Sequence, residues 1–155
     1  MANQFYNSMA RDVLDGIEDL SAVTLKAILV NATRVENADD VFIDEAGADD
    51  VIDGEISATN YTGGFGGAGR QALANVTITV DNTDDEAVLD ADDITWTGLG
   101  GASNDTITAV EIVIEKTADT DSKLVCRNEL SSSTTTNGSD VTIQWDAEGI
   151  INLNT

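Results

Sequence analysis

The sequence predicts a mainly β protein: an antiparallel β-sandwich or small barrel of jelly-roll or Ig-like type, with an N-terminal helix. Three observations lead there. Apolar residues recur at helical spacing only near the start, period-two alternation takes over from residue 70, and turn-forming residues punctuate the chain from there on. The 155 residues suit one domain able to bury a real core.

The helix or arm is expected over residues 1–18, where Phe5, Tyr6, Met9, Ala10, Val13, Leu14 and Ile17 follow helical spacing. Asn3 is its expected cap and Gly16 its expected end. "VTLKAILV" follows as a strand buried on much of both faces. Residues 32–70 read as a long excursion, acidic and then Gly-rich, with one short strand near Val51 to Ser57. In "QALANVTITV" the set Ala74, Val76, Ile78 and Val80 alternates with Asn75, Thr77 and Thr79, the pattern of a sheet with one dry face. "DDITWTG" places Ile94 and Trp96 on one side. "TAVEIVIEK" sets Val110, Ile112 and Ile114 against Glu111 and Glu115. "SKLVCRNEL" is a shorter strand and "SSSTTTNGS" a polar loop. The last segment opens on the turn dipeptide Asn137-Gly138 and carries Val141, Ile143 and Trp145 inward.

Charge restricts the partners. Against 29 acids the chain has 7 Lys or Arg, a formal net charge of -22. No basic face can be assembled for a phosphate backbone or an anionic membrane, so neither nucleic acid nor membrane is an expected partner. The dominance of Asp, the scarcity of Lys and the abundance of Thr match proteins of hypersaline cytoplasm, where hydrated carboxylates maintain solubility. The start of the chain has neither a basic region nor an apolar run, so synthesis in the cytoplasm is expected.

Reactive chemistry is sparse. The absence of His removes the commonest general base and zinc ligand, and Cys126 sits among apolar neighbours as a buried structural thiol. "GFGGAG" matches the dinucleotide fingerprint by letter only, because the strand and helix that must flank that motif are missing. No enzyme and no cofactor are expected. The acidic run from residue 81 departs from the calcium loop at its required Gly and Glu positions, which hold Glu86 and Asp92. Asp81, Asp84, Asp85, Asp90 and Asp92 remain weak candidates for a cation site of another kind, with a solvated turn as the favoured reading. Phe5, Tyr6, Met9, Tyr61 and Phe65 are the candidate interface residues, with packing on the chain's own sandwich the favoured reading for Phe5, Tyr6 and Met9. An aromatic platform of Tyr61, Trp96 and Trp145 would suit a glycan, although both tryptophans fall in phase with apolar strand positions.

Three segments carry a resemblance. "MANQFYNSMARDVLDGIEDLSAVTLKAILVN", "VLDADDITWTGLGGASNDTITAVEIVIEKTADTDSKLVC" and "TTNGSDVTIQWDAEGIINL" resemble, in order, the start, middle and end of a group of small tailed-virus virion structural proteins. Residues 32–72 depart from that pattern, and Ser139 stands where the final motif has its second Gly. The resemblance implies a capsid decoration (cement) protein on the outer surface of the virion. Its implied partners are the major capsid protein and copies of itself, as a homo-oligomer. A tail or head-tail connector component, or a receptor- or glycan-binding sandwich on the virion, are the alternatives.

Overall fold

In the computed structural model, which describes residues 3–45 and 50–154, the chain is mainly β. Strand β1 (Asn3–Phe5) and helix α1 (Asn7–Leu14) come first, then β2 (Lys26–Val30) and one helical turn, α2 (Val51–Gly54). After them run β3 (Gln71–Ala72), β4 (Thr77–Asp81), β5 (Glu86–Asp90), β6 (Ile94–Leu99) and β7 (Thr106–Ile114). The chain closes with β8 (Lys123–Thr135), β9 (Ser139–Ile143) and β10 (Ile151–Asn154). Three sheets result, ordered β1-β8-β7-β2-β3, β10-β5-β4 and β6-β9, and every strand pair is antiparallel. Antiparallel sheets with a short N-terminal helix are the expected class, consistent with a β-sandwich.

Strands β2 and β7 form the centre. Ala27 to Val30 and Ala109 to Val113 have no exposed surface, so both faces of the large sheet are covered there. Each buried Ile, Leu or Val contributes about 1.5–3 kcal/mol relative to exposure. Leu99, Ile107, Leu124 and Ile150 join the same core, as does Cys126, a free buried thiol.

Helix α1 begins later than its apolar spacing predicts. Asn3–Phe5 pair instead with Cys126–Asn128 of β8, and the extended residue Tyr6 occupies the N-cap. Its end matches the expectation: Gly16 has φ 68°, its N–H donates to the Val13 carbonyl at 3.1 Å, and the Ile17 N–H donates to the Asp12 carbonyl at 2.8 Å. Only a residue that tolerates the left-handed region closes a helix in this way. Leu14 and Ile17, expected on the apolar face, are 86% and 60% exposed.

Other expectations need correction. The strand near Val51 to Ser57 is the helical turn α2, because the Asp50 side chain accepts from the Asp53 N–H and caps it. Only Glu55 makes a bridge, to Val30. The single strand expected over 71–80 is two, β3 in the large sheet and β4 in the three-stranded sheet, separated by a bend in which Asn75 has φ 52°. Its "dry" residues Ile78 and Val80 are 50% and 71% exposed. Strand β8 is the longest element and runs through Ser131–Thr135, so much of the expected polar loop is strand paired with Thr106 and Ile107. Ile94, Trp96 and Ile143 are buried as their alternation requires, whereas Val141 and Trp145 are only half-buried. Among the described residues no helix is long and apolar enough to cross a membrane.

Candidate functional site

Glu111, expected on a wet strand face, has no exposed surface at all. Register explains its survival there. It pairs directly across from Arg127 on β8, whose Nη1 donates to Glu111 Oε1 at 2.9 Å; Arg34 Nε donates to the same oxygen at 3.2 Å. The Tyr6 hydroxyl donates to Oε2 at 2.9 Å and accepts from Arg34 Nη2 at 2.9 Å. Burial pushes the Glu111 carboxyl up, opposed by the two guanidinium groups, and burial likewise raises the Tyr6 hydroxyl. An ion cluster this well bonded holds the strands in one register.

A second cluster surrounds Arg70 at the end of the Gly-rich loop. Its guanidinium meets Glu55 at 2.7 Å, Asp119 at 2.5 Å and Glu115 at 3.2 Å, and Lys26 meets Glu115 at 2.5 Å. Near α1, Lys123 bridges Asp12 at 2.6 Å and Glu18 at 3.0 Å, with Lys116 on Glu18 and Arg11 on Asp12. All seven Lys and Arg of the chain thereby stand in ion pairs with the chain's own acids. The outer surface is left with the surplus of carboxylates.

One face interrupts that acidic surface. Antiparallel register aligns Ile78, Leu89 and Ile151 in one rung across the three-stranded sheet, and Val80, Ala87 and Leu153 in the next. Phe5, Val13, Gly16 and Leu20 from the N-terminal segment stand over part of this face, and the gap between them is an open groove of about 510 Å³. Leu89 and Ile151 form its buried floor, whereas Ile78, Val80 and Leu153 remain about half exposed or more. Contiguous exposed apolar surface on a soluble chain marks a contact site more often than chance. Glu18 and Asp19 line its side.

The predicted site residues divide between core and surface. Tyr6 and Met9, interface candidates for which core packing is the favoured reading, are 0% and 1% exposed and belong to the core. Tyr61 is 8% exposed, its hydroxyl donating to Glu55 Oε1 at 3.0 Å and accepting from the Leu29 N–H at 3.3 Å. Trp96 is 2% exposed and donates to the Gly69 carbonyl at 2.7 Å. With Tyr61 and Trp96 buried, the three aromatics form no exposed platform. Phe5 lines the groove, and Phe65 is 47% exposed on the Gly-rich loop.

The acidic candidates also separate. Asp81, Asp84 and Asp85 lie at the β4–β5 turn, whereas Asp90 and Asp92 lie at the far end of β5, about 15 Å away at strand rise. Asp81 accepts from the Thr83 and Asp84 N–H groups, and Asp92 accepts from Asn75 Nδ2 at 2.7 Å. Near the turn, Glu86 Oε2 accepts from Asn152 Nδ2 at 2.9 Å while its buried Oε1 has no hydrogen-bond partner. Like charges on Glu86, Asp84, Asp146 and Asp81 push the Glu148 carboxyl up. Among the described residues no three such groups are placed to hold a metal ion.

Sequence alternation alone does not reveal the apolar face, because β4 reads as an ordinary half-buried strand with Ile78 and Val80 inward. Compared with known protein families and with curated proteins, the chain matches none.

Proposed function

We propose that this chain is a virion structural protein of a tailed virus, a capsid decoration (cement) protein that stabilises the outer surface of the head. The observation that carries this reading is the two-rung apolar face set in a surface whose every cation is already paired. A protein that coats a shell must stay soluble alone and then hold on through apolar contact. The ordered resemblance of the three segments supports the same reading, with the major capsid protein and copies of itself as partners. Screening of the carboxylates in salt-rich surroundings favours close approach of neighbours while strengthening apolar contact, which suits a halophilic host.

Cryo-electron microscopy of the virus that encodes this chain tests the proposal. Regular density on the capsid exterior, fitted by these sheets, is the expected result. Density confined to the portal or tail would replace decoration with a connector or tail role, and no density in the particle would overturn the virion assignment.

A further inference from the structure

We infer that the open edge of β4, beside the groove over the three-stranded sheet, receives an extended segment of another protein, apolar along one side and flanked by Lys or Arg, which adds as a fourth strand and continues the apolar face. This goes beyond the virion reading, since the surface and the chemistry of its partner follow from the groove and the charges whichever chain supplies the segment.

Strand β4 is the outer strand of its sheet, and Thr77, Ile78, Thr79 and Val80 are all exposed. Native sheets usually protect such an edge with charge, proline or a covering loop, because its outer amide and carbonyl groups template further pairing. Here the edge carries Ile78 at the groove, with Val80 in the next rung beyond its lining, and Thr77 and Thr79 alternate with them. An added strand would extend the rungs Ile78–Leu89–Ile151 and Val80–Ala87–Leu153 by one side chain each, so main-chain pairing and apolar burial act together.

Charge selects among occupants. Asp19 lines the groove beside Glu18, which is already paired with Lys116 and Lys123, and Asp81, Asp84 and Asp85 crowd the turn that ends β4. A second copy would bring an identical acidic rim, and its seven cations are already in internal ion pairs. Like charges facing each other disfavour that pairing, whereas Lys or Arg flanking an apolar strand complements the rim.

The test titrates the full chain with two short synthetic strands of alternating Val and Thr, one ending in Lys-Arg pairs and one in Asp-Glu pairs, followed by calorimetry and by amide NMR. The expected result is binding of the basic strand, with shifts concentrated on β4 and weaker ones on its neighbour β5, and at least about tenfold weaker binding of the acidic strand. The double variant I78D/V80D should lose the basic strand by a similar factor while its circular dichroism is unchanged, both positions being exposed. No binding of the basic strand, equal binding of both strands, or shifts confined to β6 and β9 would overturn the inference. So would sedimentation showing a wild-type dimer that I78D/V80D abolishes, because the occupant would then be a second copy.

Discussion

Glu111 has no water to solvate it, and Arg34, Arg127 and Tyr6 take water's place. Removing one guanidinium leaves a buried carboxylate under-compensated, which costs about 3–5 kcal/mol in comparable buried pairs. Arg34→Met is therefore expected to lower the denaturant midpoint steeply. Replacing all three charged groups together, by Arg34→Met, Arg127→Met and Glu111→Leu, should recover much of the loss. Measuring both variants by urea unfolding checks the account; an equal loss in single and triple variants would show that packing rather than uncompensated charge dominates.

At the scale of elements, the loop between β9 and β10 is pressed onto β5. Gly149 has φ 85°, and a Cβ there would lie 2.5 Å from Val88 Cγ1 and 2.7 Å from the Leu89 carbonyl oxygen. Backbone strain and the clash act in the same direction, so Gly149→Ala should destabilise by ~2 kcal/mol or more, readable as a lowered Tm. Because β5 carries the buried floor of the groove, the same variant should also broaden the NMR signals of Leu89 and Ile151. Another element ties α1 to the sheet by charge. Asp12 is held below the ordinary carboxylate range chiefly by its hydrogen bond from Lys123. Burial acts upward on Glu18, but the hydrogen bonds from Lys116 and Lys123 outweigh it and leave its carboxyl lowered. Groups lowered on folding add stability that is complete above their unfolded values near 4 and is lost as pH falls through the folded ones. Removing Lys123 raises both folded values, so Lys123→Met should unfold in acid at a higher pH than the wild type, measured by circular dichroism.

Across the whole molecule the dominant electrostatic fact is a formal net charge of -22 with every Lys and Arg internally paired. The Debye length shrinks from about 8 Å at physiological ionic strength to about 3 Å at 1 M, so repulsion among surface carboxylates is largely removed by molar salt. Thermal unfolding should accordingly move to higher temperature between 0.15 M and molar NaCl, and KCl should act similarly. A Tm independent of salt would show that the carboxylates are too widely spaced to oppose folding.

What the sequence alone determined was local. Period-two alternation identified β6, with Ile94 and Trp96 inward, and the Asn137-Gly138 pair marked the turn before β9, where Gly138 has φ 92°. Gly16 marked the end of α1, and the charge balance already excluded a basic face. Tertiary structure decided which faces are dry, because that depends on partners distant in the chain. Glu111 alternates as a solvent-facing residue yet is buried, since Arg127 lies opposite it on β8 and Arg34 arrives from the connection after β2. Ile78 and Val80 alternate as core residues yet remain exposed, since the N-terminal segment covers only part of their sheet. Side-chain alternation records two faces of a strand; only the packing of other elements determines which of them meets water.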